Sequence, residues 1–160
     1  MDDSWDIPKD VNDSPNLYLG CVELSSDRFP SFRGDAVERL KQLSEQIKSK
    51  GWKGVGGWIC AQKAETHAAI PEEEYWKQRI KAANAAGFDY WKVDWGKEDR
   101  NGEWRRKLTA IGKRYAPHLY IEHALRNEFI EFSDVFRTYD VENITAQPIT
   151  IRRICVFIAL

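Results

Sequence analysis

The sequence has few of the features that mark a metal-binding, membrane or nucleic-acid-binding protein. Its three cysteines (Cys21, Cys60 and Cys155) lie far apart with no metal-type spacing, and their odd number says little about the redox compartment. No apolar run is long enough to span a bilayer. The formal net charge of -1 gives no reason to expect nucleic acid or an anionic membrane as a partner. No glycine-rich nucleotide loop follows the first predicted strands, which argues against a dinucleotide-binding fold.

The chain does contain enough apolar sequence for a core of its own. With 160 residues, of which 42% are hydrophobic, it is predicted to form one soluble domain over residues 1–160. No signal peptide precedes the first motif, which begins at residue 1, so the sequence does not decide the compartment. A single histidine in a polar loop, His67, is interpreted as solvated.

Helical and strand patterns alternate along the chain. The apolar periodicity and the Gly, Pro and Asp boundaries predict helices over residues 35–50, 71–86 and 101–115, and strands over residues 16–24, 52–61, 88–95, 118–123 and 134–140. Short connections between alternating elements are typical of βαβ units and a parallel sheet. A (β/α) barrel fits this pattern best, although a closed barrel needs about 250 residues.

One stretch, Tyr90–Gly96, combines strand character with charged residues. Alternation along a strand places Tyr90, Lys92 and Asp94 on one face. Chemistry in a (β/α) barrel is located at the carboxyl ends of the strands, where Asp94 would lie. The alternative is that Asp94 only turns the chain and Lys92 neutralises its charge, since paired acids also occur in purely structural ion pairs.

Acidic residues recur at successive predicted strand ends. If the strands lie side by side, these carboxylates converge, and two of them can divide the roles of ionised and protonated group. Glycoside hydrolysis uses such a pair, one carboxylate attacking the anomeric carbon and the other protonating the leaving oxygen. The acids are Asp2, Asp3, Asp94, Glu122 and Asp140.

Two basic residues accompany the carboxylates. Lys92 lies two positions before Asp94, and a cation beside a nucleophilic carboxylate keeps it ionised. Arg137 precedes Asp140 and is suited to hold a sugar hydroxyl or to orient a carboxylate. With the lysine in this place the reaction needs no metal, and no cofactor is predicted.

In order and spacing, five stretches of the chain resemble the catalytic barrel of the melibiase (α-galactosidase) clan, especially glycoside hydrolase family 27. They are DDSW at Asp2–Trp5, RFPSF at Arg28–Phe32, IKSKGWKGVGGW at Ile47–Trp58, YWKVDWG at Tyr90–Gly96 and FRTYD at Phe136–Asp140. The resemblance implies a retaining glycosidase that acts on a terminal α-linked sugar, with Asp94 as nucleophile and Asp140 as acid/base. It implies substrate contacts for Asp2, Asp3, Trp5, Trp58, Lys92, Glu122 and Arg137. Trp58 replaces the tyrosine usual in the family.

The same resemblance implies an incomplete fold. It predicts an α/β domain that is a partial (β/α)8 TIM barrel, with roughly strands two to six of eight. We therefore expect a truncated piece with little or no activity, because several walls of a sugar pocket would be missing. Uncovered strand edges would also favour self-association into a homo-oligomer.

Two other functions remain open at this point. Asp94, Glu122 and Asp140 could be oxygen ligands for Mg²⁺ in a barrel lyase or isomerase, with Lys92 as the base. Alternatively, the chain is a carbohydrate-binding relative without catalysis, in which tryptophans such as Trp5, Trp58 and Trp95 supply stacking faces. Glu122 is the acid most easily explained as structural.

Overall fold

The computed structural model describes residues 1–11, 15–124 and 127–135. Within them three helices alternate with three strands: α1 Ala36–Ser49, β1 Gly56–Ile59, α2 Glu72–Ala85, β2 Tyr90–Val93, α3 Gly102–Tyr115 and β3 Tyr120–His123. Short 3-10 helices cover Pro15–Leu17, Glu65–His67 and Asn127–Phe132. The predicted helices over 35–50, 71–86 and 101–115 are confirmed within one or two residues at each end.

Two of the three helices, α1 and α3, begin at a capping side chain. The Asp35 carboxylate accepts from the backbone N–H of Glu38 (2.9 Å), and the Glu38 carboxylate accepts from that of Asp35 (2.9 Å), which is a capping box at the start of α1. At α3, the Asn101 side chain accepts from the backbone N–H of Trp104 (3.1 Å). These side chains satisfy N–H groups that the helix itself leaves unpaired.

All three strands are parallel and lie in the order β1-β2-β3. The crossover helices α2 and α3 each join two parallel strands, and α2 packs against both α1 and α3. Trp76 of α2 lies edge-on to Trp91 of β2 (6.5 Å between ring centroids) and to Trp104 of α3 (5.4 Å). These buried rings are the centre of the core between the sheet and the helices.

The N-terminal segment packs on β1 and contributes to two clusters. Trp5 is buried in the main core, and its indole Nε1 donates to the carbonyl of Trp58 in β1 (2.7 Å). Ile7 and Leu19 pack in a second cluster with Trp58 and Cys60. The backbone N–H of Trp58 donates to the carbonyl of Met1 (3.0 Å), so residue 1 lies along the outer edge of β1.

The expectation of a partial TIM barrel with strands two to six of eight is wrong. The described residues form a small α/β domain with three helices and a three-stranded parallel sheet. Residues 16–24 have strand composition but turn instead, because Gly20 (φ 80°) and Val22 (φ 54°) adopt left-handed conformations. A 2.7 Å hydrogen bond from the N–H of Cys21 to the carbonyl of Tyr18 closes a tight turn here.

The last predicted strand, over 134–140, enters the described part of the chain only at its start. Val135 forms a single parallel bridge with Glu122 of β3. Arg137, Asp140 and Cys155 lie outside the described residues. Within the described ranges, every helix is too short or too polar to cross a membrane.

Candidate functional site

A row of three side chains crosses the sheet on the face away from the helices. Trp58 of β1 pairs in register with Lys92 of β2, and Lys92 pairs with Glu122 of β3. Residues paired in this way point to the same face, and Asp94, two positions beyond Lys92, continues on it. The predicted face of Tyr90, Lys92 and Asp94 is therefore the face of the candidate site.

Asp94 lies directly beyond the carboxyl end of β2. Its Oδ2 atom accepts a hydrogen bond from the indole Nε1 of Trp58 (3.1 Å) and lies 3.4 Å from the ammonium Nζ of Lys92. The side chain is only 15% exposed. From the described residues, Oδ1 of Asp94 accepts no hydrogen bond. Two donors from the described residues thus fix Oδ2 of this carboxylate.

Lys92 also connects the beginning of the chain to this carboxylate. Its Nζ lies 3.6 Å from Oδ1 of Asp2, whose side chain is 80% exposed. Asp3 is exposed next to it and accepts from the Ser4 hydroxyl (3.3 Å). Asp2 and Asp3 therefore form the outer, solvated rim, while Asp94 lies deeper and shares the charge of one ammonium group.

The tryptophans divide into buried and exposed ones. Trp5 and Trp58 are each 3% exposed or less, so neither presents an open ring face to solvent. Trp95 is 43% exposed, and its ring centroid lies 5.2 Å from that of Trp58. Trp95, directly after Asp94, is the aromatic ring at the site that a ligand can reach.

Glu122 is the most buried carboxylate of the row, at 4% exposure. Its Oε2 atom accepts from the Tyr90 hydroxyl, whereas Oε1 is buried and has no hydrogen-bond partner among the described residues. A buried acceptor without a partner costs about 1–3 kcal/mol, so a ligand hydroxyl or a water molecule would be bound favourably here.

A buried arginine holds the ends of β2 and β3, and the sequence analysis missed it. Arg105 of α3 is fully buried and donates to the carbonyls of Val93 (2.9 Å), Asp94 and Asp99 (3.0 Å). Burial lowers the pKa of Arg105 to about 10, so it remains charged at neutral pH. Asp94 is thus positioned through its own backbone as well as through its carboxylate.

His123 completes this buried network as a neutral ring. A guanidinium can only donate, so Nδ1 of His123 accepts from Nη1 of Arg105 (3.3 Å) and the ring proton lies on Nε2. Nε2 then donates to the Thr109 hydroxyl (2.7 Å), which donates to the Arg105 carbonyl (3.2 Å). Burial, and then the charge of Arg105, lowers the pKa of His123 to about 3. His123 is therefore a neutral positioning residue that does not act as a general acid at neutral pH.

The structure brings together one part of the predicted site. Asp2, Trp58, Lys92 and Asp94 are linked by direct contacts, and Glu122 lies beside Lys92 in the next strand. The predicted acid/base Asp140 and its neighbour Arg137 lie outside the described residues.

Two of the three predicted Mg²⁺ ligands, Asp94 and Glu122, are engaged with other groups in this arrangement, and the third, Asp140, lies outside the described residues. Asp94 faces an ammonium and an indole N–H, and one oxygen of Glu122 accepts a hydroxyl. In the described part of the chain, the group of three close donors suited to a metal is a different one, Cys21, Glu23 and His67. The magnesium interpretation gains no support from the geometry at Asp94.

No family model matches this chain, and no curated protein matches it significantly. The function is therefore inferred from the residues of the site itself.

Proposed function

We propose that the chain binds and hydrolyses a glycoside, with Asp94 as the nucleophile of a retaining mechanism. One observation carries this proposal. Three stretches that are far apart in the sequence, at Asp2, Trp58 and Lys92–Asp94, meet through contacts of 3.1–3.6 Å around one sheltered carboxylate. A sheltered carboxylate held by an ammonium and an indole N–H is suited to attack an anomeric carbon.

The mechanism assigns different roles to the two oxygens of Asp94. Oδ2 stays bound to Trp58 and Lys92, and Oδ1 attacks the anomeric carbon as its bond to the leaving oxygen breaks. The leaving oxygen takes a proton from the second carboxylic acid, for which the resemblance names Asp140. Water then releases the sugar from Asp94, and the same second residue accepts the proton of that water.

The remaining groups of the face are assigned to substrate binding. Oε1 of Glu122 is a buried acceptor suited to a sugar hydroxyl, and the exposed ring of Trp95 is suited to stack on a sugar face. Asp2 and Asp3 at the rim supply acceptors for outer hydroxyls, and Arg137 is assigned to the sugar by resemblance alone.

Hydrolysis of an aryl α-galactoside by the 160-residue chain tests the proposal. Wild type should release the aryl alcohol slowly, and Asp94→Asn should abolish the release because it removes the attacking anion. Asp10→Asn, at an exposed aspartate, is the matched control and should leave the rate unchanged. The same rate in Asp94→Asn and wild type would contradict the assignment.

Direct binding measurements separate the non-catalytic alternative. Galactose binding by wild type, without turnover of several aryl α-glycosides, would show a carbohydrate-binding protein instead. If wild type shows neither binding of galactose nor turnover of these glycosides, carbohydrate is excluded as its ligand.

A further inference from the structure

Three side chains with different donor atoms lie together away from the Asp94 row. They are the Cys21 thiol, the Glu23 carboxylate and the His67 imidazole, and one donor atom from each lies within 4.8 Å of the other two. Cys21 and Glu23 belong to the segment before α1, and His67 ends the 3-10 helix Glu65–His67 that follows β1. The cluster therefore joins two segments that are distant in the sequence.

The separations suit a small four-coordinate metal ion. Zn²⁺ binds sulfur at about 2.3 Å and nitrogen or oxygen at about 2.0–2.2 Å, so tetrahedral ligand atoms lie roughly 3.3–3.6 Å apart. Nε2 of His67 lies 3.8 Å from Oε1 of Glu23, which is close to that spacing before any ion draws the ligands inward. One thiolate, one imidazole and one carboxylate are ligands that Zn²⁺ accepts.

The imidazole is already oriented for coordination. The Thr66 hydroxyl lies 3.0 Å from Nδ1 of His67, and Nε2 is the ring atom that faces Glu23. Metal-binding histidines commonly use one ring nitrogen for the metal while a neighbouring polar group binds the other. Thr66 thus has the place of the second partner that fixes the ring.

A strained turn stands between the other two donors. Val22 has a φ of 54°, a left-handed conformation that is costly for a β-branched residue. Two buried groups hold it: the Asp6 carboxylate accepts from the Val22 N–H (3.1 Å), and the Tyr75 hydroxyl donates to the carbonyls of Gly20 and Cys21. The surrounding core therefore enforces the local backbone that places Cys21 beside Glu23.

We propose that Cys21, Glu23 and His67 bind a Zn²⁺-type cation, with water in the fourth position. The burial of the ligands is graded, from 6% exposure for the Cys21 residue to 23% and 33% for the His67 and Glu23 side chains. One side of the site thus opens to solvent for entry of the ion and for the water. The ion would tie the segment before α1 to the loop after β1.

Arg79 is the main opposing charge. Its guanidinium contacts Oε1 of Glu23, and it also lies over the Tyr75 ring (4.9 Å). Without metal, the negative charge of Glu23 is neutralised by the positive charge of Arg79. A bound Zn²⁺ would neutralise the two negative charges of the Cys21 thiolate and the Glu23 carboxylate. Arg79 would then remain as a hydrogen-bond donor to the metal-bound carboxylate. Lys63, the other nearby cation, donates to the carbonyls of Ala68 (3.1 Å) and Ile70 (2.6 Å).

Cobalt titration of the reduced full chain tests the site. Co²⁺ should bind one equivalent and give a thiolate-to-cobalt charge-transfer band. Cys21→Ser should lose this band, and His67→Gln should weaken Zn²⁺ binding by at least about tenfold to a hundredfold, the loss seen even for outer-shell partners. Cys60→Ser and His118→Gln are the matched controls and should bind as wild type does.

A thermal measurement keeps the test independent of any one variant. Zn²⁺ should raise the Tm of wild type, since it binds only the folded chain, and should raise that of His67→Gln much less. His67 is partly exposed on a short 3-10 helix, so its substitution leaves the core intact. A wild type without the cobalt band, or a band that persists in Cys21→Ser, would overturn the proposal.

Discussion

The ammonium Nζ of Lys92 lies 3.4 Å from Oδ2 of Asp94. The same atom lies 3.6 Å from Oδ1 of Asp2, so one cation serves a sheltered carboxylate and an exposed one. Because the Lys92 side chain is only 22% exposed, little water screens its interaction with Asp94. This relationship makes Lys92 the residue whose replacement should affect the proposed chemistry most directly after Asp94 itself.

Lys92→Met should reduce kcat/KM for an aryl α-glycoside by about 10²–10³-fold, the loss typical of one preorganised charged or hydrogen-bonding group at a reacting centre. Steady-state kinetics measure this effect. Lys97→Met is the matched control, since Lys97 pairs with Glu65 (2.9 Å) on the surface. Equal losses in both variants would show that Lys92 contributes only surface charge.

Arg105→Met should lower the free energy of unfolding by about 3 kcal/mol or more, because the carbonyls of Val93, Asp94 and Asp99 lose their donor and buried acceptors cost about 1–3 kcal/mol each. Urea denaturation gives the value. The neighbouring Arg106, 54% exposed and paired with Glu131, supplies the control. Arg106→Met should change stability by less than about 1 kcal/mol. A mild effect at position 105 would mean that the buried network does not hold the strand ends.

Two buried groups should make opposite contributions to the pH dependence of stability. Burial raises the pKa of Asp6 from 3.8 to about 6, so its contribution favours folding at low pH and is lost as pH rises through this range. Burial lowers the pKa of His123 from 6.5 to about 3, so its contribution is present above pH 6.5 and is lost as pH falls. Between about pH 4 and 6, Asp6 lowers and His123 raises the free energy of unfolding as pH increases, and these two slopes cancel.

Asp6→Asn should reveal the slope due to His123. In this variant the free energy of unfolding should rise by about 1.4 kcal/mol per pH unit more steeply than in wild type between about pH 4 and 6. Urea denaturation at several pH values in that window measures the difference. Parallel pH profiles for wild type and variant would show that Asp6 does not titrate in this range.

Trp95→Ala should weaken glycoside binding roughly threefold to tenfold, since aromatic ring contacts contribute about 0.5–1.5 kcal/mol. The change should leave the Tm nearly unchanged, because Trp95 is 43% exposed. Trp52→Ala, at a residue 69% exposed and outside the Asp94 row, is the control for loss of a surface tryptophan. Titration calorimetry with galactose compares the two, and equal affinities would exclude Trp95 from the binding surface.

Local sequence signals predicted the helices and the central strand well. Asp35 and Asn101 are capping residues whose chemistry acts within three positions of the chain. The shared face of Lys92 and Asp94 follows from strand alternation, and their 3.4 Å contact agrees with it. These features depend on neighbours in sequence, which is why sequence reasoning reached them.

The errors have a different origin. Residues 16–24 have strand composition, but the left-handed backbone at Gly20 and Val22 depends on tertiary contacts with Asp6 and Tyr75. The barrel expectation followed the alternation of helix and strand patterns and a resemblance in motif order, and neither of these fixes the number of strands. Arg105 was missed because the sequence does not show that this charged helix residue is buried. His67 was missed because its neighbours Cys21 and Glu23 are distant in the sequence.

The proposed mechanism assigns to Asp94 the attack on the sugar. Azide rescue of Asp94→Gly tests it most directly, since azide can enter the space left by the side chain and attack the anomeric carbon in its place. This variant should not hydrolyse an aryl α-galactoside alone, and azide should restore aryl release with a β-galactosyl azide as product. Undiminished hydrolysis by Asp94→Gly without azide, or no hydrolysis by wild type, would contradict it.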